Sequence, residues 1–201
     1  MGEQSTRPGI RRLCLSLTLL AVGSCAISTA RDGISNPHDV CVILREQPDW
    51  YRAARRTEAR WGTPAELVFA IIWRESGFRA EAKTPRTYFL GIVPAGRVST
   101  AYGYAQAIDG TWDWYRRETG NRSADRRDFR DAADFVGWYT GRTRDVNGIP
   151  LADAFNQYLA YHEGHRGYQR GDWRGKAGLL MAAAQVRDQA GRYRSQLATC
   201  A

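Results

Sequence analysis

Glu75 closes a run in which Leu67, Val68, Ala70, Ile71, Ile72 and Trp73 are apolar nearly all round, the pattern of a helix that crosses a core. Gly77 follows two residues later and is placed to end that helix in the left-handed conformation. Two effects raise the pKa of a carboxyl in such a place: the negative end of the helix dipole and the removal of water by apolar neighbours. A carboxyl that stays protonated near neutral pH can serve as a general acid, as cleavage of a glycosidic bond requires. Position alone does not make Glu75 catalytic, because a Glu beside Arg74 at a helix end is ordinarily a solvated charge.

Two further segments change its weight. Arg74-Glu75-Ser76-Gly77-Phe78, Ala101-Tyr102-Gly103-Tyr104-Ala105-Gln106 and Ala160-Tyr161-His162-Glu163-Gly164 occur in an order and spacing that resemble the soluble lytic transglycosylase family. That family shows a Glu-Ser pair closing a core helix, a Gly-Leu-Met-Gln segment and an Ala-Tyr-Asn-Ala-Gly segment on a lysozyme-like helical domain. The resemblance spans roughly Trp50 to Leu197, and three ordered motifs are more specific than any one of them. It implies Glu75 as acid and base, Ser76 as its hydrogen-bonding neighbour, Gln106 as a group holding sugar in the cleft, and Tyr161 as a residue that orients Glu75. Tyr102 and Tyr104, lying within the motifs, are expected at the cleft with Tyr161. Tyr104 and Ala105 stand where Leu and Met are usual, and His162-Glu163 replaces Asn-Ala, so a substrate contact is remade and a second carboxylate is brought toward the cleft.

The reaction implied by the resemblance is intramolecular. Glu75 protonates the oxygen between N-acetylmuramic acid and N-acetylglucosamine in peptidoglycan, then takes the proton of the muramoyl C6 hydroxyl as that oxygen closes a 1,6-anhydro ring. A hydrolytic muramidase of goose-type lysozyme character would instead need a second carboxylate, about 5 to 9.5 Å from the first. Glu163 and Asp109 are the candidates, although Asp109 also reads as a helix N-cap before Gly110-Thr111 and Glu163 as a polar residue at the cleft edge. A third reading is an inactive wall-binding lipoprotein, which loss of Glu75 would have marked. His162 and His165 are three apart around Gly164, not four apart on one helical face, so no metal site is expected, and no cofactor. His38 lies outside the motifs.

The elements that must position these residues read as an all-α fold with a minor β component. Val40 to Arg60 has helical spacing with Pro48 expected to bend or split it. Thr63, Pro64 and Glu66 form a reciprocal capping pattern for the Glu75 helix. Thr87 to Val93 reads as strand, with a turn at Pro94-Ala95-Gly96, giving a small hairpin or ordered loop near the cleft. Helices are expected over Thr111–Thr119, Phe129–Arg142, Leu151–Tyr161 and Gly178–Leu197. Trp112, Trp114, Tyr115, Trp138, Tyr139, Tyr158 and Tyr168 fall at helical spacing and are assigned to packing.

Before the domain, Arg7, Arg11 and Arg12 precede an apolar run from Leu13 to Gly23, too short for a stable membrane anchor, which reads as an export signal. Val22-Gly23-Ser24-Cys25 resembles the lipobox of bacterial lipoproteins, so lipidation of Cys25 and outer-membrane anchoring in the periplasm are expected; cleavage after Ala30 is the rival and would leave a freely soluble protein. The expected organisation is a signal over 1–25, a short tether over 26–39 and one domain over 40–201, acting as a monomer. With Cys14 and Cys25 in the signal, Cys41 and Cys200 remain as a pair, and an oxidising compartment favours a disulfide between them. The 29 Lys and Arg against 21 Asp and Glu, a net charge of +8, attract polyanions, but export argues against nucleic acid as the partner.

Overall fold

The computed structural model describes residues 1–2, 33–89 and 93–201. The expected signal and the lipidation at Cys25 lie outside the described residues. The described residues from 33 onward form one compact unit. Its described elements are α1 (Val40–Glu46), α2 (Pro48–Trp61), α3 (Ala65–Ser76), β1 (Arg86–Phe89), β2 (Val93–Arg97), α4 (Asp109–Thr119), α5 (Phe129–Asn147), α6 (Ala154–Arg170) and α7 (Ala177–Cys200). This is the mostly helical, lysozyme-like architecture expected, with one antiparallel two-stranded hairpin.

Helix α3 is the centre of the core. Leu67, Val68, Phe69, Ala70, Ile71 and Ile72 are all at most 2% exposed, because α7, α2 and α5 pack around the helix. It begins one residue later than the capping pattern suggests, with Pro64 as N-cap and no side-chain cap. The Thr63 hydroxyl instead donates to the Gly137 carbonyl at 3.3 Å and meets the Thr140 hydroxyl at 2.7 Å, so a partner on α5 displaces the local cap. Glu66 likewise accepts from Arg194 of α7 at 2.8 Å in place of reaching back to residue 63. The other end behaves as the sequence indicates: Gly77 takes φ 58° and its N–H returns to the Trp73 carbonyl.

Pro48 splits the first helix cleanly, with Gln47 ending α1 and preceding Pro48 at the start of α2. In the hairpin, Phe89 pairs with Val93 and Thr87 with Gly96, so Pro94-Ala95-Gly96 belongs to a strand and not to a turn. A proline is accommodated there because each strand of a two-stranded ribbon has a free edge. Asp153 caps α6 by accepting from the Asn156 N–H, which sets the helix start three residues after Leu151.

Helix α7 is fastened at its far end. The segment before α1, part of the expected tether, is tied to it: Gln189 Nε2 donates to the His38 carbonyl at 3.1 Å, and the Tyr193 hydroxyl donates to the Pro37 carbonyl. Cys41 and Cys200 form a disulfide across 159 residues. Closing so long a loop removes conformations from the unfolded chain, a contribution of roughly 4 to 5 kcal/mol in the chain-entropy treatment. The Cys41→Ser/Cys200→Ser variant is therefore expected to melt several degrees below the wild type in non-reducing buffer, and reductant should lower only the wild type's melting temperature; equal melting of the two proteins in non-reducing buffer would remove the disulfide from the account.

Candidate active site

The last turn of α3 carries Glu75 into the wall of a pocket of about 270 Å³. The other walls come from Gln106, Ala107, Ile108 and Thr111, from Phe135 and Tyr139 of α5, and from Tyr161, His162, Glu163 and Gly164 of α6. All three motif segments contribute: Glu75 from the first, Gln106 from the second, and Tyr161 through Gly164 from the third.

The Glu75 carboxyl is pushed up to about 7, first by burial, against the opposing influence of a hydrogen bond from the Tyr158 hydroxyl and the charge of Arg74. Ionisation of Glu75 in turn raises the pKa values of Tyr158 and Tyr161, for both of which burial is the largest cause. Both phenols thus stay neutral donors in the physiological range. Tyr161 directs its hydroxyl to the Ala105 carbonyl at 2.6 Å, fastening the middle motif to α6. Burial also raises Tyr139 to about 12.

Gln106 sits in the left-handed region at φ 47°. Its side-chain amide donates to the carbonyls of Ala82 at 2.9 Å and Gly103 at 2.8 Å, which fixes the orientation of its Oε1. Gly103 is required by crowding: a Cβ there would lie 2.2 Å from the Arg126 carbonyl oxygen, with φ at 78° besides. This explains the glycine of the middle motif by backbone approach.

Other expected residues lie elsewhere. Ser76 is 1% exposed and its hydroxyl donates back to the Ile72 carbonyl at 3.1 Å, so it is not brought to the pocket wall. Tyr104 lines a separate pocket of about 400 Å³ with Trp50, Phe78 and Lys83. Tyr102 faces Lys83 and Arg126, whose cationic groups lie 5.2 and 5.7 Å from its ring centre. Asp109 is the first residue of α4, after Ile108 as N-cap, and pairs with Arg126 at 2.8 Å outside the Glu75 pocket. His165 stacks on Tyr139 with ring centres 4.5 Å apart and its Nε2 meets the Thr143 hydroxyl at 3.0 Å, whereas His162 turns to Glu163. His38 packs edge-on against Trp73 and lines a different pocket, with Arg74 and Gln189.

The sequence assigns two tyrosines to packing that the structure brings to the site: Tyr139 lines the pocket, and Tyr158 lies behind it, buried against Glu75. Tyr158 is three residues before Tyr161, hence on the same face of α6, and its ring stacks on Tyr161 with centres 6.4 Å apart. That spacing was the available signal. Tyr139 comes from α5, and no local pattern separates it from the packing aromatics around it.

Helix α6 breaks where the pocket needs it to. Gly164 adopts φ 76° and ψ 157°, a conformation essentially restricted to glycine, and helical geometry resumes beyond it. Glu163, immediately before the break, is 7% exposed at its side chain and held by Lys176 Nζ at 2.7 Å and His162 Nδ1 at 3.1 Å. Burial pushes this carboxyl up, but the hydrogen bonds from Lys176 and His162 outweigh it and the net shift is downward.

The model of the transglycosylase SLT domain matches residues 13–200, and the chain belongs to this family. Members are glycosidic-bond lyases that act on peptidoglycan. Comparison with curated proteins gives no match.

Two outcomes follow from the geometry. Glu75 in the folded protein holds its proton up to a pKa of about 7, above the ordinary 4.5. The unfolded chain releases that proton earlier, so folding stability falls as pH rises from 4.5 toward 7 on account of this group. Glu75→Gln is therefore expected to gain stability relative to wild type across that window, measured by denaturant melts at pH 4.5 and 8; an unchanged difference would contradict the buried acid. Gly164→Ala is expected to cost about 1 to 3 kcal/mol in the same melts through backbone strain, and wild-type stability of that variant would show the break to be dispensable.

Proposed function

We propose that this chain cleaves the MurNAc–GlcNAc bond of peptidoglycan non-hydrolytically, leaving 1,6-anhydromuramoyl ends, with Glu75 as the single acid and base. The observation that carries the reading is the half-buried Glu75 carboxyl, raised to about 7, in the wall of a pocket. At neutral pH a substantial fraction of it is protonated, and the conjugate base is strong enough to take a proton back, which is the balance that acid and base work by one group requires.

Protonated Glu75 gives its hydrogen to the bridging oxygen as the glycosidic bond breaks. Positive charge builds on the muramoyl anomeric carbon, and the 2-acetamido group of the sugar shields it. The carboxylate left behind then accepts the C6 hydroxyl proton while O6 bonds to the anomeric carbon. Proton and charge return to their starting state, and no water is consumed. Tyr158 donates to the carboxyl and moderates its pKa. Tyr161 holds the Ala105 carbonyl and so sets the loop from which Gln106 presents its oxygen to a sugar hydroxyl or amide. The pocket, about 270 Å³, is close to the lower end of the roughly 300–1,000 Å³ of small-ligand sites, which suits a single ring at the reacting bond.

The competing hydrolytic reading needs a second carboxylate to activate water. Glu163 shares the pocket, but both of its oxygens are engaged by cations or donors and its pKa is lowered, which makes it a poor base. Asp109 is paired with Arg126. These engagements favour the anhydro product. Substrate encounter on a wall rich in anionic polymers is aided by the excess of basic over acidic residues, which persists after Arg7, Arg11 and Arg12 leave with the signal. Export, attachment through a lipid on Cys25 and action as a monomer belong to the same proposal and rest on the sequence.

Glu75→Gln is expected to lower release of glycan fragments from purified peptidoglycan by at least a thousandfold while the far-UV spectrum is retained. Undiminished release would refute the assignment. For the wild type, mass spectrometry of the digest in ¹⁸O water should show anhydro ends without label; labelled reducing ends would establish hydrolysis instead.

A further inference from the structure

We infer that Lys176 is a positioning residue that determines the reaction outcome: by pinning the Glu163 carboxylate at the wall of the Glu75 pocket, it keeps that carboxylate from activating water. The inference rests on the anhydro-forming reading and names the device that protects it.

Glu75 and Glu163 line the same pocket, on α3 and α6 respectively. Two carboxyl groups facing one glycosidic bond are what a hydrolase uses, one as acid and one as base or nucleophile. Among the described residues, Glu163 is thus the one further carboxylate of this pocket that a hydrolytic route could use, and what engages it decides whether it can act. Glu163 Oε2 accepts from Lys176 Nζ at 2.7 Å, and Oε1 accepts from His162 Nδ1 at 3.1 Å. Lys176 precedes α7 and reaches across to α6, so the bond ties the start of one helix to the break in the other. Gly164 lets the chain turn at that break, and Gly167 leaves room beside Glu163, since a Cβ there would lie 3.2 Å from the Cβ of Glu163.

The consequences are electronic and geometric. A cation on Oε2 withdraws basicity from the carboxylate, and the bond from Lys176 occupies a lone pair of that oxygen. Lys176 itself is half exposed, at 51%, so its removal leaves no buried charge unpaired except Glu163. Without Lys176, Oε2 is free to accept a proton from water. The water oxygen then bonds to the anomeric carbon, the glycosidic bond breaks, Glu75 protonates the leaving oxygen, and Glu163 is left protonated; atoms and charge balance.

The test is the product ratio of Lys176→Met, Lys176→Arg and Lys176→Met/Glu163→Gln on purified peptidoglycan in ¹⁸O water, beside the wild type. The expected result is a rise of at least tenfold in ¹⁸O-labelled reducing ends relative to anhydro ends for Lys176→Met. Lys176→Arg, which keeps the charge, should restore the wild-type ratio, and the double variant should lose the labelled product. A purely structural role for Lys176 would lower total turnover without moving the ratio, and that result would overturn the inference, as would labelled ends that persist in the double variant. Labelled reducing ends from the wild type would overturn the anhydro-forming function itself and the inference with it, whereas unlabelled anhydro ends from wild type and Lys176→Met alike would overturn the inference alone. Should Lys176→Met not fold, Lys176→Gln carries the same expectation.

Discussion

A carboxyl deprived of water at the end of an apolar helix is the interaction around which the rest of this molecule is arranged. Desolvation of Glu75 depends on α3 being enclosed, and α3 is enclosed because α7, α2 and α5 pack on its faces. The far end of α7 is tied back through Gln189 and Tyr193 to the segment before α1 and through Cys200 to Cys41. These fastenings are remote from the pocket, yet they hold the helix that covers the acid's own helix. The remaining cover comes from α6, whose Tyr158 and Tyr161 both feel the Glu75 charge.

The motif segments are also bound to one another. Tyr161 of the last motif grips the Ala105 carbonyl of the middle one, and Gln106 closes its own loop onto Ala82 and Gly103. Hydrogen bonds whose partners come from separate elements hold the loop's backbone in a conformation, φ 47° at Gln106, that it would not adopt alone. The pocket is therefore held in shape by the protein's own hydrogen bonds, and placement of a reacting group depends on such preorganisation. Replacement of Asn-Ala by His162-Glu163 in the last motif brings a carboxylate into this organised space, and Lys176 lies against it.

What the sequence made legible was what local physics decides. The apolar run of α3, its glycine terminator, the split at Pro48 and the pairing of the two remaining cysteines depend on few neighbours, and each appears in the structure. Thr63 was misread as a cap because its competing partner, Thr140, is far away in sequence. Pro94 to Gly96 reads as a turn because proline and glycine favour one, but the register of the ribbon places these residues in a strand. Tyr102 and Tyr104 were grouped with the cleft by adjacency to Gln106, yet they and Gln106 line three different pockets. Tyr158 could be found from its three-residue spacing to Tyr161. Tyr139 and Lys176 could not, since nothing near them in sequence says that one lines the pocket and the other reaches Glu163.

The most direct measurement is a ¹³C NMR titration of the Glu75 side-chain carboxyl in the intact protein, assigned by its loss in Glu75→Gln. The account predicts a midpoint near the value of about 7 that burial imposes. A midpoint at the ordinary 4.5 of a solvated glutamate would contradict it, because the carboxyl would then be ionised at neutral pH with no proton to donate.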